Sequence, residues 1–516
     1  MSASPATSMQ EATGVKDQAK HLRTDHLLHN IGRRAVSGGF VTFSAQAAKF
    51  ILNFTAAAVL ARLLEPKEFG LVGMVLGVTA LVGIFKELGL SVATVQREHI
   101  TQQQVSNLFW INVAVGSVAS LIGVGLSPLV AKFYRDPRIA GIMVVLSLTF
   151  LLTGSAVQHR ALLTRQMRFS TLALIDVTAM FVGFLIGCVL AWRGFGYWSL
   201  VAQQVSTSAT DLLLTWSFSR WRPNLPRRNS GLRPLLNFGA HITVADFVGR
   251  LSVSSDNILI GRFFGAAPLG LYTRAAVLLQ RPLDQVFTPV TAVLDPVLAR
   301  LQSDPERYRR AFLRIYGALA MVTFTFAALC LALAQPIVLV ILGSKWGGVV
   351  PLFSAFALVA ISSPMSSAVS WIYQSQGRGS DQLQNHTLGG LITVAAYLLG
   401  LHWGPFGIIV SFAIISMVIR MPLVYYIAGR SGPVSTSDLW SGFFSQLPLW
   451  ASVYLMTMLA RMAFQNMAPA LQLLLCTPIG IVGGAILMLP FRRSRENAMY
   501  AWNMIRGTLV QRSGAI

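Results

Sequence analysis

The chain has 516 residues, 54% of them hydrophobic and only 12% charged, with a mean hydropathy of +0.60 and a formal net charge of +22. Soluble domains carry about a quarter charged residues, so a water-soluble fold is excluded. The basic excess falls in short loops between apolar runs, which excludes nucleic acid as the partner and points to membrane orientation and contact with anionic lipid.

Apolar runs of about 20 residues, the length that crosses hydrocarbon, recur along nearly the whole chain, and the dyad alternation of a membrane β-barrel is absent. The predicted fold is an all-α polytopic membrane protein of about fourteen transmembrane helices, two pseudo-symmetric six-helix lobes plus two extra helices. Residues 1–36 form a polar cytoplasmic tail without the apolar stretch of a cleavable signal. The N-lobe, 37–217, holds spans 37–61, 69–90, 105–130, 139–157, 171–191 and 195–217. A basic, proline-rich interlobe linker at 218–234 follows, read as lying near anionic headgroups or as an orientation signal only. The C-lobe, 235–429, holds spans 235–260, 269–294, 311–341, 350–374, 387–402 and 405–428, the last two separated only by Trp403 and Gly404. Spans 439–460 and 468–490 lie in segment 430–491. In the cytoplasmic tail 492–516, Ala498, Trp502, Ile505 and Leu509 repeat at helical spacing between arginines, the pattern of a helix lying on the membrane surface; a frayed tail is the alternative.

Two echoes support the two-lobe reading. ARLLEPKEFGL at 61–71 and GRFFGAAPLGL at 261–271 share Arg, Gly and Leu at an offset of 200, and WRGFG at 192–196 echoes WGPFG at 403–407. A two-fold repeat of membrane helices is the usual build of a secondary transporter. Alternate loops carry 27 and nine Lys plus Arg, which places both termini in the cytoplasm.

Several spans carry polar stripes. The first has Thr42, Gln46, Lys49 and Asn53 on one helical face; the seventh has Asp246, Arg250, Ser254 and Asn257; the eighth has Arg274, Arg281, Gln285 and Thr288; the sixth has Gln204, Ser208 and Asp211; the tenth has Ser363, Ser366, Ser370 and Gln374; the twelfth has Arg420. A charge in hydrocarbon costs about 2.5–3.5 kcal/mol on insertion scales, so charged stripes face one another or a wet cavity. Asp246 can pair with Arg250, and Asp284 with Arg281, within their own helices. Lys49 and Arg274 have no local partner. Lys49, Arg250, Arg274 and Arg281, with Gln46 and Asn53, are therefore the expected lining of a cationic cavity that binds an anionic substrate such as a phosphate or pyrophosphate. Asp246 and Asp256 are the candidates for taking up a coupling H⁺ or Na⁺; a structural ion pair is the alternative for each.

No catalytic constellation is present. There is no phosphate-binding glycine loop, no nucleophile motif, no metal-ligand spacing and no cofactor motif. Interspan loops under about 20 residues leave no room for an enzymatic domain or an ATPase. Cys188, Cys330 and Cys476 lie singly in apolar spans and read as packing residues.

The segments GLSVATVQREHITQQQVSNLFWINVAVG (89–116), DPRIAGIMVVLSLTF (136–150), RALLTRQMRFSTLALID (160–176), GFGYWSLVAQQ (194–204), SRWRP (219–223), DNILIGRFFGAAPLGLYTRA (256–275) and DPERYRRAFLR (304–314) resemble the polysaccharide flippases. The likeness is to the Wzx-type, colanic-acid-exporter-like branch of the MOP (MATE/flippase) superfamily, and it runs over about residues 37–355. It implies a MOP/MATE-like pair of six-helix lobes in the bacterial inner membrane. It implies flipping of an undecaprenyl-pyrophosphate-linked oligosaccharide to the periplasmic leaflet for exopolysaccharide, capsule or O-antigen synthesis. Partners would be membrane lipids, a polysaccharide polymerase and chain-length or export proteins. Lys49, Arg250 and Arg274 lie on helices comparable to those that carry pyrophosphate-contacting arginines in related flippases. A MATE-like cation-coupled antiporter and a non-transporting scaffold of a polysaccharide assembly complex are the alternative readings.

Overall fold

A computed structural model describes residues 31–83, 91, 94, 95, 100–226 and 254–488. Most of the N-terminal tail, most of the seventh span with Asp246 and Arg250, the second half of the linker and the C-terminal tail lie outside the described residues. The chain divides into two compact units, one ending at Ala267 and the other beginning at Pro268.

The first unit contains α1 (Ile31–Leu63), α2 (Pro66–Val82), α3 (Gln102–Tyr134), α4 (Arg138–Arg165), α5 (Phe169–Trp192), α6 (Tyr197–Ser219) and α7 (254–264). Helix starts follow local chemistry. Thr101 and Gln104 form a capping box at α3, and Glu65 and Glu68 form one at α2, where Pro66 presets the first turn. α3 packs on α4 and α5 on α6. The α3–α4 contact depends on small residues: a Cβ on Gly116 would stand 2.7 Å from the Phe150 carbonyl oxygen, and one on Gly154 2.8 Å from that of Asn112.

α8 (Ala266–Arg300) leads into the second unit, followed by α9 (Pro305–Ala332), α10 (Ala334–Ile341), α11 (Val349–Ala360), α12 (Ser363–Ser375), α13 (Gly379–Gly400), α14 (Gly404–Ile415), a π-helical turn Ser416–Arg420, α15 (Met421–Gly429), α16 (Thr436–Phe444), α17 (Leu447–Ala463) and α18 (Pro469–Met488). Three expected spans are each broken in two: 311–341 at Leu333, 350–374 at 361–362 and 439–460 at 445–446. Each break lies just before a proline, Pro336, Pro364 or Pro448, which has no N–H for the carbonyl four residues earlier. The narrow 387–402/405–428 division is real: a 3₁₀ turn at Leu401–Trp403 and Gly404 at φ 75° separate α13 from α14. Among the described residues nine segments are long and apolar enough to cross a membrane, and one of them, Gly379–Gly429, has the length of two passes. α2, α6 and α8 fall outside those nine.

The two units share a device at an offset of 210 residues. α4 ends in Gln166–Met167–Arg168, and α12 in Gln376–Gly377–Arg378, each followed by a further residue and a serine. Arg168 N–H donates to Leu163 O and Met167 N–H to Thr164 O; Arg378 N–H donates to Tyr373 O and Gly377 N–H to Gln374 O. Both are Schellman turns, with a left-handed residue at Met167 (φ 53°) and Gly377 (φ 66°). Each arginine then reaches across to the end of the second helix of the hairpin it begins. Arg168 Nη1 donates to Phe218 O at the end of α6; Arg378 donates to Ile427 O and Ala428 O at the end of α15, each at 2.8 Å. The arginines thus satisfy carbonyls that a helix C-terminus leaves open.

The described part of the linker, 220–226, is strapped to the start of α3. Trp221 is fully buried against Ile100, Val105, Leu108, Phe109 and Leu162, and its indole N–H donates to Gln102 Oε1 at 2.7 Å. Gln102 in turn donates to Arg222 O, Trp110 Nε1 to Asn224 O, and Asn224 N–H to Ser106 Oγ. The motifs QQQVSNLFW and SRWRP are therefore two halves of one contact.

Candidate functional site

Four charged side chains from four helices of the first unit form a single chain. Lys49 Nζ on α1 donates to Asp176 Oδ2 on α5 at 3.0 Å. Arg160 Nη2 on α4 donates to Asp176 Oδ1 at 2.7 Å, and Arg160 Nη1 donates to Asp211 Oδ1 on α6. Two cations meet two carboxylates, so the cluster adds no net charge to the helices that carry it. α1, α4 and α5 each contain a segment fit to cross a membrane. Placing these charges there is tolerable because each donor has a charged acceptor. The four side chains keep 20–34% of their surface exposed, so the cluster is not fully buried.

Helix position fixes its depth. Arg160 lies five residues before the end of α4, Asp176 seven after the start of α5 and Asp211 eight before the end of α6. At about 1.5 Å per residue the cluster is about 10 Å inside the end that carries the Arg168 turn and the Trp221 strap. At that end His159 stacks on Trp216, centroids 4.6 Å apart, and meets Trp221 and Phe109 edge-on, while Arg165 donates to Thr94 O.

Lys49 was expected to lack a partner because none is near in sequence; Asp176 supplies it from 127 residues away. Gln46 and Asn53, three and four residues from Lys49, are exposed on the same face of α1. Asp256, on α7, accepts a hydrogen bond from the Asn257 N–H. In the second unit Arg274 is half-buried and Arg281 exposed, seven residues apart on α8, the spacing of one helix face. Arg281 does not pair with Asp284 as expected: Gln280, one turn before Asp284 at i−4, donates to its Oδ1. Arg420 sits in the π-helical turn, its guanidinium over the bare backbone of Gly389. Arg160 and Asp176 were not singled out from the sequence. The sequence signal covers only Asp176, a charge inside span 171–191; Arg160 lies beyond the expected span 139–157 because α4 runs on to Arg165.

Comparison with known proteins gives the family. Residues 59–351 match the model of the family described as polysaccharide biosynthesis protein. The chain belongs to that family. It is 24% identical over 409 residues to the lipopolysaccharide biosynthesis protein WzxC of Escherichia coli, covering 77% of this chain and 82% of that one. It is 27% identical over 452 residues to the succinoglycan biosynthesis transport protein ExoT of Rhizobium meliloti, covering 86% and 90%. Among solved structures, the lipid II flippase MurJ in an inward closed conformation superposes with a TM-score of 0.69 at 14% identity, over 89% of this chain and 99% of that one. An inward-facing multidrug MATE transporter gives 0.59 at 14% identity, over 78% and 99%. This polysaccharide biosynthesis protein therefore has the all-α, multi-pass fold of the MOP transporters.

Proposed function

We propose that the protein flips undecaprenyl-pyrophosphate-linked oligosaccharide repeat units from the cytoplasmic to the periplasmic leaflet of the inner membrane, for exopolysaccharide, capsule or O-antigen synthesis. Both termini lie in the cytoplasm, as the excess of basic residues in alternate loops favours. The polymerase and the chain-length or export proteins are its downstream partners. The chain transports and does not catalyse.

The observation that carries this reading is the Lys49–Asp176–Arg160–Asp211 cluster, partly exposed and about 10 Å inside the basic end of the first unit. A pyrophosphate entering there offers the two cations a better acceptor than the carboxylates that hold them at rest, since phosphate oxygens take an arginine fork bidentately. Gln46 and Asn53 flank Lys49 for the sugar. Arg250, Arg274 and Arg281 receive the headgroup during alternating access of two lobes. Coupling to an ion falls to a carboxylate: Asp246 and Asp256 by their stripes, and Asp176 and Asp211 because displacement by pyrophosphate frees them to take up a proton. A drug antiporter has only the shared fold in its favour.

The test is chemical. A deletion strain should accumulate polyprenyl-linked oligosaccharide in its lipid extract, and the wild-type chain should clear it. Accumulation of free sugar nucleotides without the lipid-linked species overturns the assignment.

A further inference from the structure

A cavity of about 500 Å³ lies in the second unit where α10, α17 and α18 meet. Its floor is explained by one proline. Pro336 cannot donate to Ala332 O, so that carbonyl is left open at the α9–α10 break, and Arg461 Nη1 takes it at 2.8 Å. Arg461 Nη2 donates to Gln335 Oε1, also at 2.8 Å. Two of the five guanidinium N–H groups are thus used to fix the fork in place. No carboxylate pairs with Arg461 among the described residues. The cavity therefore holds an oriented cation with donors to spare.

The walls say what shape of ligand fits. Met458, Met462 and Met467 line it, and methionine adapts to irregular apolar groups. Met462 is exposed and continues an exposed apolar stripe on α17, Leu455, Leu459 and Met462, at steps of four and three. On α18 Leu471 and Leu474 are exposed as well. Arg461 is two residues from the end of α17, where a spanning helix reaches headgroup depth. One cation at the head of an apolar track matches a single phosphodiester on two acyl chains.

We propose that this cleft binds an anionic glycerophospholipid, its phosphate on Arg461 and its chains along the α17 stripe. The site is independent of the flipping reaction proposed above. The test is native mass spectrometry of the purified full chain with phosphatidylglycerol, phosphatidylcholine or inorganic phosphate. Retained phosphatidylglycerol is expected, about tenfold more weakly bound in Arg461→Gln and in Met462→Glu. Met462→Glu puts a repelling charge at an exposed position and leaves the Ala332 contact intact, so it decides the matter if Arg461→Gln fails to fold. Equal retention of phosphatidylcholine, equal binding of free phosphate, or unchanged affinity in Met462→Glu overturns the proposal.

Discussion

Removal of the Asp176 charge is the sharpest probe of the cluster. Asp176→Asn keeps the shape but removes the charge and turns one of the two oxygens, reached by Lys49 at 3.0 Å and by Arg160 at 2.7 Å, into a donor that faces a cation. A charge-assisted hydrogen bond contributes about 1.5–3 kcal/mol when buried. Exposure of 23–34% on the three side chains argues for the lower end of that range. Asp176→Asn should therefore cost about 3 kcal/mol and Lys49→Gln about 1.5 kcal/mol. The two residues share one contact, so the double variant should cost about 3 kcal/mol, leaving a coupling energy of about 1–1.5 kcal/mol. Equilibrium unfolding of the full chain in mixed micelles, followed by tryptophan fluorescence, measures all three. Additivity to within about 0.5 kcal/mol refutes the ion pair.

Arg160→Gln leaves two carboxylates with Lys49 alone and should be more damaging to polymer export in a complementation assay than Lys49→Gln. Met167→Gly relieves a left-handed methionine and should stabilise by about 0.5–1 kcal/mol, while Gly377→Met in the twin turn should destabilise by about 1–2 kcal/mol; thermal melts of both check it. Gly116→Ala presses a methyl against the Phe150 carbonyl and should lower the melting temperature, whereas Gly125→Ala, with open space around it, should raise it slightly. Trp221→Ala empties a fully buried site under the strap and should cost about 3–5 kcal/mol in the same unfolding assay.

The fold was legible because membrane helices announce themselves one at a time. Hydropathy alone places α3, α4 and α5, since every backbone group in lipid must be satisfied within its own helix. Breaks inside long apolar runs were harder to see. Pro336, Pro364 and Pro448 were visible as letters, but a proline in a membrane span is often tolerated, and only the geometry shows which ones end a helix. The lettering of the 166–170 and 376–380 turns was likewise present without its meaning, which rests on carbonyls about 50 residues further on. The charge cluster was half legible. Lys49 stands out as a cation on a polar stripe, and Asp211 lies on another. Their connection through Arg160 and Asp176 joins four helices, and nothing in the local spacing of α4 and α5 pairs residues 16 apart. Arg281 shows the converse: a local pair permitted by spacing does not form, and Gln280 donates to Asp284 instead.

Reconstitution tests the central claim most directly. The full chain in proteoliposomes, given a fluorescent short-chain polyprenyl-pyrophosphate sugar on one face, should carry the headgroup across so that a membrane-impermeant quencher on the opposite side reaches it. Arg160→Gln, inserted to the same level, should leave it unreachable. Transfer by Arg160→Gln at the wild-type rate, or no transfer by a folded wild-type chain under any imposed ion gradient, contradicts the account.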